Sequence, residues 1–481
     1  MSLRTPAILA AALAAAGITC AALAAENAAD KASDVLAHDV FKELIEINTT
    51  DSAAGNVTAG VEAMAKRFRD AGFPASDVVV LGPENPKKKN LVVRLHGTGK
   101  YKPVLLIGHI DVVEAHREDW NLDPFKLIEQ DGYFYGRGTS DMKGDDAIMV
   151  ATLLRMKKEG YKPDRDIILA LTADEESGCC NGPDWLIKNH RNLIDAEFVI
   201  NTDGYSVRSE KGVATMFRLG ATEKMYGDYQ LTVTNKGGHS SEPRADNAIY
   251  QLAQALINVS KYQFPLEINN VTRAYFERLA ADATGQRQAD LRGMLKTPPD
   301  ADSVQRLSQQ PADNAVMRTN CVATRLDGGH ANNALPQRAQ ANINCRILPG
   351  HSLEEIRQQL IKVIGDPQVT VHYVADNGKV ADKTPDRKSV APPPLKPEVV
   401  KPLEAVVAQM WPGIKVVPFM DAGASDAVYT SAAGMPTYGI TGLAIDVDDQ
   451  RAHGRDERIR VAAFYKANEF FYRYLKALTS Q

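Results

Sequence analysis

Between Asp34 and Asp203 the apolar and polar positions follow two rhythms. Phe41 to Ile47 and Val61 to Ala71 repeat apolar residues at helical spacing, which predicts amphipathic helices. Short apolar runs at Val78–Leu81, Asn90–Leu95, Val104–Ile107, Ile167–Leu171 and Phe198–Ile200 predict strands. Between the third and fourth runs, Ala147 to Glu159 predicts a helix closed by Gly160. Strand, crossover and strand at this spacing predict an α/β sheet that is at least partly parallel.

After about Leu219 the rhythm changes. Tyr229–Asn235 alternates as a strand and Asn247–Lys261 as a helix; a long polar insert with Pro298-Pro299 then runs to about Arg318. Asn320–Leu326 and Arg338–Ile347 predict strands, Ser352 and Glu355 form a capping box at the start of a helix, and Val369–Val374 predicts a last strand. This β-α-β-β-α-β order is the ferredoxin-like unit with a helical insertion after its first helix. The Pro-rich segment from Ala391 to Pro397 reads as a return linker, followed by helical runs and the "GASDA" loop. The expected organisation is a discontinuous α/β domain, 25–220 and 391–481, with a smaller α+β domain, 221–390, inserted into it.

Residues 1–24 differ from the rest. One early Arg, an apolar small-residue core from Ala7 to Ala16, and Ala22-Leu23-Ala24 before a polar stretch read as a cleaved secretory leader. A periplasmic or secreted protein without stable membrane insertion is expected. The net charge of −4 gives no support to a nucleic-acid partner. Cys20 would leave with the leader, and Cys179, Cys180, Cys321 and Cys345 remain in a compartment that permits disulfides. Cys321 and Cys345 lie on consecutive strands whose connection centres near Asn332–Asn333. Antiparallel pairing then sets Cys321 opposite residue 344 or 345, and a disulfide is expected.

The chemistry gathers at strand ends. Val104–Ile107 runs into Gly108-His109-Ile110-Asp111, Ile167–Leu171 into Asp174-Glu175-Glu176, and Phe198–Ile200 into Asn201-Thr202-Asp203. Tyr133–Gly136 enters "GRGTSDMKG", which carries Asp141. Ligand sites of open α/β sheets lie beyond the carboxyl ends of the strands. One such acid would read as a solvated turn; four converging clusters of Asp, Glu and His do not. Divalent cations would neutralise them, and carboxylate and imidazole without thiolate suit hydrolytic zinc, with manganese or cobalt as substitutes. Asp145-Asp146 read as favourable acids at a helix N-terminus, Pro86 to Lys89 as a solvated loop, and Asp174 needs no role.

"GHIDVV", "YGRGTSDMKG", "TADEESG", "NTDG", "GGHSSEP" and "HGRDERI", in that order along nearly the whole chain, resemble the M20 family of co-catalytic zinc metallopeptidases and amidohydrolases. The resemblance implies a zinc-hydrolase catalytic domain interrupted by a ferredoxin-like lid that forms a homodimer. It also implies that His109 and Asp203 bind one zinc, Glu176 and His453 the other, and that Asp141 bridges both. Glu175 would be the general base and Asp111 would orient His109. His239 would stabilise the oxyanion in the partner subunit's site. Asn333 and Arg346 would contact the substrate, and Gly423 and Ser425 would hold its tail. The implied substrate is a small peptide or N-acyl amino acid, cleaved at an amide next to a free carboxylate. The long insert favours a carboxypeptidase; an N-acyl-amino-acid amidohydrolase is the alternative. A periplasmic solute-binding protein is the rival from another class, but it would have no use for a free Glu beside a ligand Glu.

Overall fold

A computed structural model describes residues 29–176, 180–375, 378–385 and 390–480. The expected leader and Cys179 lie outside the described residues. Among the described residues no helix is long and apolar enough to cross a membrane.

The larger sheet has ten strands. Its centre is parallel, with Arg165–Thr172, Tyr101–His109, Phe198–Asn201 and Thr437–Gly439 as successive neighbours. Alternate residues of these strands enter opposite cores, as the pleat requires. Val104, Leu106, Leu169 and Ile200 pack with Val57–Asp70, Lys143–Lys158 and Val461–Leu478. Leu105, Ile107, Ile168 and Val199 face Leu186 and Ile194 of the helix Gly182–Ile194. Burial on both faces is why these strands read as unbroken apolar runs.

The far half of this sheet was not apparent in the pattern. Val416–Asp421, Thr437–Gly439 and Ala444–Asp446 are strands where the sequence predicts helical runs and a loop, and Val207–Glu210 is a strand in a stretch with no predicted element. Three of the four span four residues or fewer, too short for a period to show. The fourth contains Pro418, which a strand tolerates at an edge, and among the described residues Val416–Asp421 pairs only with Val213–Glu223.

The chain crosses to the second sheet at Lys224, between Val213–Glu223 and Met225–Thr234. That sheet is antiparallel, ordered Asn320–Gly328, Arg338–Ile347, Met225–Thr234, Val369–Val374 and Val380–Ala381. The first four give the ferredoxin-like arrangement, with Ala248–Lys261 and Leu353–Ile364 sharing its core. The Ser352–Glu355 capping box is present. Cys321 faces Cys345 in register and the two form a disulfide.

The insert folds into four helices: Asn270–Asp282, Gly285–Met294, Ala301–Ser308 and Pro311–Met317. Val271, Tyr275, Phe276 and Val316 bury against Met216, Val417 and Met420 of the larger sheet. The insert therefore leaves the lid in sequence but shares a core with the catalytic sheet.

Candidate metal centre and substrate cavity

Parallel pairing aligns the ends of three strands. His109, the last residue of its strand, lies opposite Thr172, and Ile107 lies opposite Asn201. The turns that follow deliver Asp174 to Glu176 and Asp203 beside His109. A separate three-stranded sheet joins Tyr133–Tyr135 to Arg458–Arg460 and brings the loops of Asp141 and His453 together.

Ligand atoms of His109, Asp141 and Asp203 lie within 4.8 Å of one another, and so do those of Asp141, Glu176 and His453. Asp141 is common to both groups: one oxygen is 3.2 Å from His109 Nε2 and the other 3.1 Å from His453 Nε2. Glu176 is 2.9 Å from His453 Nε2. Glu175 forms a third group with His109 and Glu176. All the residues expected as ligands and base are thus brought together.

The groups around them hold the turns rather than the ligands' tips. His109 Nδ1 lies 3.0 Å from the main-chain oxygen of Asp111, which orients the ring, while the Asp111 carboxylate is 3.9 Å away. That carboxylate instead accepts the amides of Glu175 at 3.3 Å and Glu176 at 3.0 Å. Asn90 accepts the amide of Ala173 at 3.0 Å. Lys88 Nζ donates to Asp174 at 2.6 Å, with both side chains buried, so Pro86 to Lys89 is not simply a solvated loop and Asp174 has a role. Glu457 accepts from Arg137, from the amides of Gly138, Ser140 and Asp141, and from the Ser140 hydroxyl. One carboxylate thereby ties the Asp141 loop to the His453 loop. Asp174 and His453 both occupy left-handed backbone conformations, at φ 62° and 61°, where a side chain is strained.

Asp145 and Asp146 also differ from expectation. The helix begins at Lys143, four residues earlier than its pattern suggests, and both acids are buried in its first turn. Asp145 accepts from Thr441, and Lys143 Nζ donates to the carbonyls of Leu44 and Ile47 at 2.8 and 2.9 Å. Burial pushes Asp145 up to about 8 and Lys143 down to about 7.

Electrostatics and donor types suit a candidate metal centre. Burial, with repulsion from neighbouring acids, pushes Glu175 and Asp203 well above the ordinary carboxylate range, and His109 opposes this. Hydrogen bonds to Asp141 and Glu176 raise His453 to about 10. His109 Nε2 is buried without an aligned hydrogen-bond partner. Cations among these groups would favour ionised carboxylates and neutral imidazoles, and an all-oxygen-and-nitrogen donor set fits zinc.

A cavity of about 690 Å³ opens from Asp141, Asp203 and His453, and Gly423 and Ser425 line it. The Gly423 amide is held by Asp421 at 2.8 Å. Ser425 Oγ donates to Glu223 at 2.7 Å and accepts from Asn201 at 2.9 Å. Burial pushes Glu223 up to about 8. Sequence reasoning passed over Glu223, which lies at the end of a strand with no motif around it.

The expected oxyanion residue His239 and two expected substrate contacts lie elsewhere. His239 is exposed in a short ladder with Ala334, its Nδ1 2.7 Å from Ser241 Oγ. The main-chain oxygen of Asn333 accepts the Ser240 amide at 3.0 Å. Arg346 stacks over Tyr226 at 4.9 Å. None of the three lines this cavity within its own chain.

Residues 105–477 match the peptidase family M20/M25/M40. The chain belongs to this family. It shares 28% identity over 389 residues with a probable carboxypeptidase S-like 2 of Dictyostelium discoideum, covering 78% of this chain and 71% of the relative. It shares 27% over 379 residues with the N-fatty-acyl-amino acid synthase/hydrolase PM20D1 of Xenopus tropicalis, covering 77% and 71%. The M20 metallo-carboxypeptidase Sso-CP2 of Sulfolobus solfataricus superposes with a TM-score of 0.68 over 92% of this chain and 99% of that one, at 16% identity. A dinuclear metal-binding M20 peptidase of Bacillus subtilis superposes with a TM-score of 0.56 over 93% and 98%, at 11% identity. At such identities the structural likeness speaks for the fold alone. As an M20 protein the chain is a hydrolase of peptide or amide bonds with candidate ligand groups for metal, which sets the solute-binding rival aside.

Proposed function

We propose that this M20 protein is an exported two-zinc carboxypeptidase that cleaves an amide next to a free carboxylate. The observation that carries the reading is the sharing of Asp141 between two ligand groups with Glu175 beside them. His109 and Asp203 would hold one ion and Glu176 and His453 the other. Bound there, zinc supplies a polarised carbonyl and a more acidic water. Glu175 takes the proton from the attacking water and delivers it to the leaving nitrogen. Asp111 holds the Glu175 and Glu176 amides so that the base keeps its place.

Export is supported by residues 1–24 and by the Cys321–Cys345 disulfide, since such bonds persist in oxidising compartments. A lid-to-lid homodimer is supported by the edge strand Asn320–Gly328, where Val322 and Leu326 are 58% and 70% exposed. Hydrolysis of N-acyl amino acids is the second reading, favoured by the likeness to the N-fatty-acyl-amino acid synthase/hydrolase. Metal analysis of the purified protein, followed by hydrolysis of a panel of dipeptides and N-acyl amino acids, separates the readings. Two zinc ions and release of C-terminal residues support the first. Turnover of acyl amino acids alone selects the second, and absence of metal removes both.

A further inference from the structure

Two arginines share one wall of the cavity beside the candidate metal ligands. Val207–Glu210 and Val213–Glu223 pair antiparallel with Arg208 opposite Met216. Arg218, two positions beyond Met216, therefore projects from the same face as the diagonal neighbour of Arg208. Both line the cavity that holds Asp141, Asp203 and His453. Arg218 donates Nε and Nη2 to a single acceptor, the main-chain oxygen of Tyr205. Its guanidinium lies over the Phe419 ring at 4.4 Å, and that ring packs against Tyr275 of the insert at 5.1 Å.

Like charges on diagonal positions of one face repel, and a half-buried cation normally has an anionic partner. Among the described residues neither arginine forms an ion pair within 4.0 Å. Burial holds Arg218 below the usual arginine range; nearby Asp421 opposes this, while Arg208 adds to it. Asp421 spends an oxygen on the Gly423 amide instead. Tyr205 and Phe419 fix the plane of the Arg218 fork, and a fixed fork is what carboxylate recognition uses. The lid's Arg346, by contrast, does not line this cavity.

We propose that Arg218 and Arg208 form a carboxylate-binding subsite that anchors the anionic end of the substrate within the chain's own cavity. The assignment rests on the amide-hydrolase reading only for the identity of the carboxylate's owner. Anion binding can be measured without turnover.

The test uses the zinc-loaded Glu175→Gln protein, in which hydrolysis is suppressed, and calorimetric binding of N-acetyl-alanyl-leucine and of its C-terminal amide. The free acid should bind more tightly, and the ratio of the two dissociation constants is the readout. Arg218→Met should reduce that ratio about 10- to 100-fold, the span expected for hydrogen bonds to a charged group. Arg208→Met, at a position with no stacking partner among the described residues, should reduce it in the same direction and guards against misfolding of the first variant. Arg218→Lys should restore part of the ratio, because charge returns without the fork. The proposal is overturned if the ratio survives both methionine substitutions, if Arg346→Met alone collapses it, or if the parent shows no preference for the acid. Turnover of the same peptide by the wild-type zinc protein is scored separately. Its absence counts against the carboxypeptidase reading and leaves the binding ratio to decide the subsite.

Discussion

Lys88 Nζ lies 2.6 Å from Asp174 Oδ1, and with the two side chains 7% and 1% exposed the pair is largely buried next to the Glu175–Glu176 turn. Asp51, at 2.8 Å, is a second carboxylate beside the ammonium. The left-handed backbone of Asp174 is thus pinned by its own side chain, which sets where the next two residues point.

Lys88→Met should therefore destabilise the fold by about 3–5 kcal/mol, because it takes the buried cation away from a buried carboxylate. Lys88→Met with Asp174→Asn should recover part of that loss, Asn being neutral and tolerant of the left-handed region. Denaturant titration of the four proteins of the cycle measures the coupling. Additive losses would mean that the pair does not act as a unit.

Glu175→Gln should keep its metal and lose about 10²–10⁴-fold in kcat, the usual worth of a general base. Asp141→Ala should lose metal, because both ligand groups need it. Metal content and kcat, measured together, distinguish the two roles. A Gln variant with wild-type turnover would remove Glu175 from the mechanism.

The Cys321–Cys345 bond closes a loop with a sequence separation of 24. On the chain-entropy model it contributes about 3.5 kcal/mol. Replacing both cysteines by Ala should lower the lid's unfolding midpoint while leaving metal content intact. Alkylation of the untreated protein followed by mass spectrometry should find both sulfurs blocked; two free thiols would contradict the pairing.

His239 faces solvent on the lid rather than its own chain's cavity, as a residue serving a partner's site would. His239→Ala should bind metal normally and lose about 10²–10³-fold in kcat, typical of one oxyanion donor. Mixing it with Glu175→Gln under conditions that exchange subunits should restore up to about half the activity of each heterodimer. No restoration after demonstrated exchange would place His239 outside catalysis in trans.

The sequence alone was enough to bring His109, Glu175, Glu176 and Asp203 to one edge of a sheet. Each follows an apolar run, and parallel strands expose their ends together. It also paired Cys321 with Cys345, because a hairpin's register follows from where its turn falls. The same reading missed Lys88, Glu457, Glu223 and Arg218. A charge's burial depends on what packs around it, and those neighbours lie far off in the chain: Lys88 is 86 residues from Asp174, and Glu457 is 316 from Asp141. Tertiary structure likewise carried the insert from the lid to the catalytic sheet, since an amphipathic helix specifies that it needs a cover but not which surface supplies it.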